Sequence, residues 1–417
     1  MYLVSLWIFL FVPITSSFEP GVAVVKTVAG GGDVHIGEKS DCVDEKRTMD
    51  GVGSDARFNY PWGIAYDGIT HSLYVADCGC PNTKHSNDRI RAINLPTLAV
   101  ATLAGARQGY LDGKGIAAQF FHSAGMCVHH RDRQIFIADS GNNCVRRVSI
   151  NTGDVITFVG SRQPGFQNGV GQQAGLYNPQ GICLDEGRDI LYIADTDNHL
   201  IRRVLLLKRL VHTIAGQARR KGNADGYGDT ALFYHPTGLA YDSTHDILYV
   251  TDHYNHLIRR ILYPDTNPYV STLAGSVQGY RDGTGILAHF NYPEGVAFDR
   301  IHRVLYVADF DNNAVRIVHE DGHVTTLAGG QQGALDGIAT EATFYHPTGL
   351  TFDATNNTLY ITDQYNHKIR SITTLGATIS LHQGNRMPIY GYGMLLTAVI
   401  VVVAILARRR ELMRLVM

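Results

Sequence analysis

Short apolar stretches, separated by Gly, Pro and Asp, follow one another from about residue 25 to residue 383. They are rich in Val, Ile, Tyr and Thr, which is typical of β-strands. No segment between the two chain ends shows a sustained period of 3.6 residues, so no helix is predicted there. The clearest stretch recurs six times, at intervals of 54 to 62 residues. Its copies are Leu73–Asp77, Ile135–Asp139, Leu191–Asp195, Leu248–Asp252, Leu305–Asp309 and Leu359–Asp363.

Each repeat contains four such strands. Six units of four short strands predict an all-β fold, a six-bladed β-propeller of four-stranded antiparallel blades. A blade that is apolar on both faces cannot bury them alone, so the ring must close. The stretch Thr27–Gly30 matches the fourth strand of a repeat but precedes the first blade. We therefore expect a Velcro closure, in which the N-terminal strand completes blade 6.

The third strand begins with Asn198-His199-Leu200 in one repeat and with Asn255-His256-Leu257 in the next. These residues resemble the NHL repeat family, and the resemblance covers roughly residues 25 to 383. It implies a propeller that presents a ligand-binding face on a rigid scaffold. Blade 1 departs from the pattern, because Asp77 lies 14 residues before Arg91 where the other blades have an interval of seven.

The two chain ends carry different signals. Residues 1–17 are predicted to be a signal peptide, because an apolar run ends there in small residues. Residues 389–407 carry no charge and suffice to cross a bilayer core of roughly 30 Å. Arginines follow directly and place residues 408–417 in the cytoplasm. We therefore expect a single-pass type I membrane protein, with the propeller at 18–383, a linker at 384–388, the transmembrane helix at 389–407 and a short cytoplasmic tail.

Composition and motifs limit the function. The formal net charge is -2, whereas proteins that track nucleic-acid phosphates carry a basic excess, so no nucleic-acid partner is expected. The sequence contains no HExxH, GxSxG or Walker motif. These observations favour a non-enzymatic scaffold that binds an extracytoplasmic protein, peptide or glycan and that needs no cofactor.

Residues that recur in every blade are interpreted as scaffold, and residues that vary are candidates for a site. One arginine recurs in the third strand of each blade, at positions 91, 146, 202, 259, 316 and 370. An Asp-Gly or Asn-Gly pair recurs in the loop before the inner strand, with its first residue at positions 50, 112, 168, 225, 282 and 336. We expect these groups to close turns and to pair within the blade rather than to bind a ligand.

The variable positions flank the start of each inner strand, where we expect the mouth of the central channel. The candidate ligand-binding residues are Tyr60, Trp62, His122, Asn178, Gln180, His235, Tyr292, Glu294 and His346. The histidines His122, His235 and His346 fall in blades 2, 4 and 6, about 120 degrees apart, so they could converge on one divalent metal on the propeller axis. Some propellers that resemble this one are lyases or hydrolases with an axial metal, and this resemblance implies the alternative function, a lumenal metal-dependent enzyme. Otherwise each histidine caps its own turn or packs against the neighbouring blade.

Two features fit an extracytoplasmic location. Cys42, Cys78 and Cys80 lie in loops of blade 1, and one disulfide among them is predicted. Zinc binding by these three residues is the weaker alternative, because they contain no CxxC pair. Asn356 is followed by Asn357 and Thr358 and is therefore a predicted glycosylation site.

Overall fold

The computed structural model describes residues 15–19, 21–31, 48–79, 88–375 and 378–382. The chain divides into two compact units. In one of them, Thr15–Glu19 pairs with Thr378–His382 in a two-stranded sheet. The other unit, Pro20–Thr378, contains six antiparallel sheets, which are the six blades.

The blades form a closed ring. All six sheets have the same strand order, which we call inner, second, third, fourth and outer. The inner strand of each blade contacts the inner strands of both neighbouring blades, so the six inner strands surround one central channel. The prediction of a six-bladed propeller is therefore confirmed.

The inner and second strands lie closest to the channel. The inner strands have seven residues each and are Pro61–Asp67, Ser123–His129, Pro179–Asp185, Pro236–Asp242, Pro293–Asp299 and Pro347–Asp353. The second strands have six residues each and are Ser72–Asp77, Gln134–Asp139, Ile190–Asp195, Ile247–Asp252, Val304–Asp309 and Thr358–Asp363.

The third and fourth strands lie further from the axis. The third strands carry the recurring arginine and are Arg89–Asn94, Cys144–Ser149, Leu200–Leu205, Leu257–Leu262, Ala314–His319 and Lys368–Leu375. The fourth strands are Ala99–Ala104, Asp154–Val159, Leu210–Ala215, Tyr269–Gly275 and His323–Gly329, with Val22–Ala29 in blade 6.

Each blade contains a fifth strand, so the prediction of four-stranded blades is wrong. The outer strands have two residues and are Gly51–Val52, Gly113–Lys114, Gly169–Val170, Gly226–Tyr227, Gly283–Thr284 and Gly337–Ile338. Each begins at the glycine of the Asp-Gly or Asn-Gly pair and pairs with the free edge of a fourth strand, as Gly283 does with Val324. Two residues are too few to give an alternating pattern, which is why the sequence pattern did not indicate them.

Single 3-10 turns join many of the strands. One set follows the outer strands and comprises Gly53–Asp55, Gly115–Ala117, Gly171–Gln173, Gly285–Leu287 and Ala339–Glu341. A second set joins the second and third strands and comprises Ser140–Asn142, Thr196–Asn198, His253–Asn255, Phe310–Asn312 and Gln364–Asn366. One further turn, Leu206–Lys208, follows the third strand of blade 3.

Apolar side chains on both faces of each blade form the core. In the second strand of blade 1, Leu73 and Val75 point to one face and Tyr74 and Ala76 to the other, and all four are buried. Clusters of apolar residues lie between adjacent blades, and each contains residues from two neighbouring blades. Burial against neighbours therefore holds the ring together, as the repeat pattern predicts.

The N-terminal strand closes the ring. Val22–Ala29 pairs with Lys368–Leu375 on one side and with Gly337–Ile338 on the other. The N–H of Thr27 donates to Asp336 Oδ2 over 3.0 Å, which fixes the strand to the loop of blade 6. The predicted Velcro closure is confirmed, and it removes an open sheet edge.

Within the described residues, no helix has the length and apolar character that a membrane crossing requires. Residues 389–407 lie outside the described residues, as do residues 1–14 of the predicted signal peptide. The anchor and the signal peptide both stay predictions.

Candidate functional site at the two ends of the central channel

The recurring arginines are structural. All six side chains are fully buried, and each pairs with the aspartate that ends its second strand. In blade 4, Arg259 lies 2.7 Å from Asp252 and 2.8 Å from Asp225, and it donates to two backbone carbonyls. Burial raises the pKa of Asp252 to about 6, although the charge of Arg259 opposes the shift. The arginines therefore form ion pairs inside the blades through their terminal nitrogens, and their interpretation as scaffold is confirmed.

Glycines narrow the channel near its upper end, which we define as the end where the inner strands begin. The third residue of each inner strand is glycine, and the glycines packed against the next blade are Gly63, Gly125, Gly181, Gly238, Gly295 and Gly349. A Cβ on Gly238 would overlap the carbonyl oxygen of Glu294. The blades can approach this closely only because Cβ atoms are absent. The cavity that remains has a volume of about 70 Å³, far below the several hundred Å³ of a site for a drug-sized ligand.

The second residue of the inner strand lines this narrow cavity in five of the six blades. These residues are Trp62, Gln180, Thr237, Glu294 and Thr348. Glu294 is buried, and its Oε2 lies 2.9 Å from Nδ1 of His253. Burial alone would lower the pKa of His253, but the charge of Glu294 raises it above its ordinary value. The candidates Trp62, Gln180 and Glu294 therefore do lie around one opening.

The candidates that precede the inner strands surround the upper mouth in a shared backbone conformation. Their φ angles are all positive, between 49° and 53°, at Tyr60, His122, Asn178, His235, Tyr292 and His346. The N–H of each donates to a side chain of the preceding blade, as Tyr292 does to His256 Nδ1 over 3.1 Å. The acceptors in the other five blades are His367, Asp88, Asn143, His199 and Asn313. The middle residue of the Asn-His-Leu triplet thus joins one blade to the next.

The imidazoles of His235 and His346 contact the preceding blade, and the ring of His122 lies 4.9 Å from that of Phe121 in its own blade. His235 Nδ1 lies 3.4 Å from Asp197, and the ring of His235 lies 5.0 Å from that of His199. His346 Nε2 lies 3.3 Å from Asp311, and its ring stacks on Phe310. In the part of the chain that the structure describes, no three His, Cys, Asp or Glu side chains form a group that could hold a metal ion. The described geometry therefore gives the metal-dependent alternative no support.

Two clusters of aromatic rings cover most of the upper mouth. Cluster I spans blades 3 to 5 and contains His199, Tyr234, His235, His253, Tyr254, His256 and Tyr292. Cluster II spans blades 5, 6 and 1 and contains Tyr60, Phe310, Tyr345, His346, Tyr365 and His367. Burial lowers the pKa of His346, and it lowers that of His235 to about 4. Both rings are therefore neutral at physiological pH and pack as aromatic surface.

Tyr254 and Tyr365 are functional candidates that the sequence pattern did not single out. Each lies between the candidate residues of two adjacent blades, as Tyr365 does between His346 at 4.5 Å and Tyr60 at 5.2 Å. Their side chains are 41% and 36% exposed, which makes them the accessible centres of the two clusters. Both directly precede the Asn-His of their repeats, where other blades have Gly141, Asp197 and Asp311, so aligning that position would have found them.

The lower end of the channel, where the inner strands end, is wider. It opens into a cavity of about 330 Å³, within the range of small-molecule sites. Four aromatic side chains, at the sixth position of their inner strands, line it. They are Tyr66, Tyr241, Phe298 and Phe352. None of these is among the predicted site residues, because those flank the start of each inner strand and these lie near its end.

The remaining predicted sites are placed as follows. Asn356 is exposed in the turn between the inner and second strands of blade 6, and its Nδ2 donates to Asp353 over 2.8 Å. Cys78 is buried, and its Sγ lies 2.6 Å from the carbonyl oxygen of Ser123. Cys42 and Cys80 lie outside the described residues, so the disulfide stays a prediction.

Comparison with known proteins agrees with this architecture. The NHL repeat profile matches residues 176–203 and 233–261. NHL repeat-containing protein 2 of Bos taurus is 29% identical over 288 residues, covering 60% of this chain and 39% of that protein. Protein SUPPRESSOR OF QUENCHING 1, chloroplastic, of Arabidopsis thaliana is 26% identical over 253 residues, covering 58% of this chain and 24% of that protein. The chain thus spans about two fifths or less of the length of these curated relatives.

A solved structure shares the fold. An auxiliary nutrient binding protein from Bacteroides thetaiotaomicron superposes with a TM-score of 0.63 at 17% identity, covering 85% of this chain and 76% of that chain. The closed ring of six sheets defines the chain as a six-bladed β-propeller. The repeat match and the relatives support an NHL-repeat β-propeller.

Proposed function

We propose that this propeller is the ligand-binding part of a single-pass type I membrane protein. In this proposal its upper face binds a protein, a peptide or a glycan outside the cytoplasm. The observation that carries the proposal is the pair of aromatic clusters at the upper mouth, each with a half-exposed tyrosine at its centre.

The shape of the mouth favours a large ligand. Because the glycines narrow the channel directly below, a ligand can lie across the rings but cannot enter far between the blades. Tyrosine supplies a large and rigid contact area at low conformational cost and is enriched where binding energy concentrates in protein interfaces. An aromatic surface on a rigid scaffold, above a channel too narrow to enter, suits a partner that is itself large.

The asymmetry of the rings supports a specific partner. Cluster I draws on blades 3 to 5 and cluster II on blades 5, 6 and 1, whereas blade 2 contributes no member to either cluster. A purely structural feature would recur in all six blades, as the buried arginines do. The fold relative described as a nutrient binding protein is compatible with binding as a use of this fold, although fold similarity alone carries no ligand.

The test is proximity labelling in cells, with the labelling enzyme placed beside Phe18. Full-length protein is compared with the double variant Tyr254→Ala/Tyr365→Ala. The matched control is Tyr227→Ala/Tyr263→Ala, which removes two exposed tyrosines that belong to neither cluster. We expect partners labelled by the wild type to be lost in the first variant, since two such anchors weaken binding at least about tenfold.

Two outcomes would contradict the proposal. One is an unchanged labelling profile in the cluster variant whose melting temperature equals that of the wild type. The other is loss of labelling to the same extent in the control variant. Either result would show that the clusters serve packing and not recognition.

A further inference from the structure

The lower cavity has a supported aromatic wall on one side. Tyr241, Phe298, Phe352 and Tyr66 come from blades 4, 5, 6 and 1, which are consecutive around the ring. At the same inner-strand position, blades 2 and 3 have Val128 and Leu184. The aromatic side chains therefore form one continuous arc that faces smaller aliphatic residues, and this departs from sixfold symmetry.

Each aromatic side chain of the arc is supported by a second aromatic side chain behind it. Each packs against a tyrosine from the second strand of the preceding blade, with ring centroids 5.3 to 6.1 Å apart. The pairs are Tyr66 with Tyr360, Tyr241 with Tyr192, Phe298 with Tyr249, and Phe352 with Tyr306. These buried tyrosines hold the arc in place, so the cavity is already formed without a ligand.

Within the described part of the chain, one carboxylate at this cavity forms no ion pair with a cationic side chain. Five inner strands end in aspartate, and four of these pair with a cationic or titratable side chain: Asp67 with Arg133, Asp185 with Arg188, Asp242 with His245, and Asp299 with His302. In blade 6 the corresponding partner of Asp353 is Asn356, a neutral amide. Asp353 also accepts hydrogen bonds from the backbone N–H groups of Thr355 and Asn356, and the Tyr66 hydroxyl, which is likewise neutral, is a further hydrogen-bond partner.

The charge of Asp353 acts within the cavity. Asp353 lines the cavity and is 1% exposed, so water screens it little. Burial raises the pKa of the neighbouring Tyr66, and the Asp353 carboxylate raises it further. Arg300 and His130 also line the cavity, but Arg300 is exposed to water and His130 pairs with Glu186.

We propose that the lower cavity binds a small organic cation, with its ammonium group against Asp353 and the aromatic arc. Aromatic faces attract cations through the ring quadrupole, and such groups commonly recognise quaternary ammonium ligands. A neutral apolar ligand would leave the buried carboxylate without a counter-charge, and an anion would be repelled by it. This site lies at the opposite end of the channel from the aromatic clusters, so it does not depend on the function proposed above.

The test is titration calorimetry on the full-length protein in detergent, with choline as the probe. Its neutral isostere 3,3-dimethylbutan-1-ol has nearly the same shape and no charge, and glucose serves as a polar neutral probe. We expect choline to bind and the isostere to bind at least about tenfold more weakly, because only the cation gains from the rings and the carboxylate.

Two variants locate the site. Asp353→Asn and Phe352→Leu should each weaken choline binding at least about tenfold. Asp299→Asn, at the same position in blade 5 but paired with His302, should leave it within about twofold. If Asp353→Asn fails to fold by circular dichroism, Phe352→Leu alone decides. The proposal would be overturned if choline did not bind, or if the isostere or glucose bound as tightly as choline. It would also be overturned if Asp299→Asn weakened choline binding as much as Asp353→Asn does.

Discussion

Nδ1 of His256 accepts a hydrogen bond from the backbone N–H of Tyr292 in the next blade, over a distance of 3.1 Å. His256 has a left-handed backbone with a φ of 58°, and Tyr292 has one with a φ of 53°. Both conformations are uncommon for residues other than glycine, and here each presents its polar group towards the blade boundary. The middle residue of the Asn-His-Leu triplet is therefore a connector between blades.

Replacing His256 should separate the contribution of its hydrogen bond from that of its left-handed backbone conformation. His256→Ala removes the acceptor and leaves the Tyr292 N–H unpaired, so we expect a loss of about 1–3 kcal/mol in the free energy of unfolding. His256→Asn should retain most of the stability, because asparagine tolerates the left-handed conformation. Blades 2 and 5 already use Asn143 and Asn313 in this way. Urea unfolding of both variants measures the difference, and equal stability of the two would contradict the role of the hydrogen bond.

The same residues predict a dependence of stability on pH. Burial lowers the pKa of His199 and His256, and it lowers that of His235 from 6.5 to about 4. A lowered folded-state pKa means that the unfolded chain binds more protons in this range. The stability contribution is thus fully present above pH 6.5 and is lost as the pH falls towards 4. Glu294 raises the pKa of His253, which gives a contribution of the opposite sign.

Melting temperatures at pH 7.5, 6.0 and 5.0 measure this effect. The double variant His199→Asn/His256→Asn keeps an acceptor at both positions and removes two titrating groups. We expect it to melt close to the wild type at pH 7.5 and to lose less stability at pH 5.0. An equal loss in both proteins would place the acid sensitivity elsewhere.

The buried ion pairs allow a sharper prediction. Arg259→Ala leaves Asp252 inside the blade without its counter-charge, so the free energy of unfolding should fall by about 3–5 kcal/mol. The adjacent Arg260 lies on the other face of the same strand and donates to Ser271. Arg260→Ala therefore serves as control and should cost well under half as much. Chemical denaturation compares the two, and similar losses would show that the pairing of Arg259 contributes little.

How much of this fold the sequence predicts depends on repetition. The Leu-Tyr-Val-Ala-Asp stretch occurs once in each blade, so its six copies give the number of blades. Thr27–Gly30 matches the fourth-strand phrase of the other blades, and this match predicts the closure. The outer strands were missed because a pair such as Gly283–Thr284 is too short to show a pattern. Repetition also identified the arginines correctly as scaffold.

The site was less predictable, for a physical reason. Whether His122, His235 and His346 point to the axis depends on side-chain direction at a left-handed residue, which spacing does not determine. The importance of Tyr254 depends on its position between two blades, and that of Phe352 on the far end of the channel. Contacts between blades join residues that are distant along the chain, and a single sequence does not indicate which of these residues touch.

Close packing at the channel predicts intolerance to a single methyl group. Gly238→Ala would bring a Cβ against the carbonyl of Glu294, so the blades must separate, at a cost of about 1–3 kcal/mol. Gly68→Ala is the matched control, since its nearest neighbour, a side-chain atom of Tyr66, lies at 3.6 Å, an ordinary contact distance. Thermal unfolding should show a lower melting temperature for Gly238→Ala and almost no change in melting temperature for Gly68→Ala. A Gly238 variant as stable as the wild type would mean that the ring closes less tightly than the geometry indicates.

The proposed extracytoplasmic location predicts a glycan on Asn356. This residue heads the single Asn-x-Ser/Thr sequence of the chain and lies exposed in a turn on the lower face. In cells that glycosylate secretory proteins, treatment with an N-glycosidase should increase the gel mobility of the wild type and leave Asn356→Gln unchanged. Asn357→Gln keeps the acceptor sequence intact and should behave as the wild type. A wild-type chain whose mobility does not change, and whose propeller is cut by protease added to the cytoplasmic side, would contradict the topology, since glycan transfer requires that the turn reach the lumen.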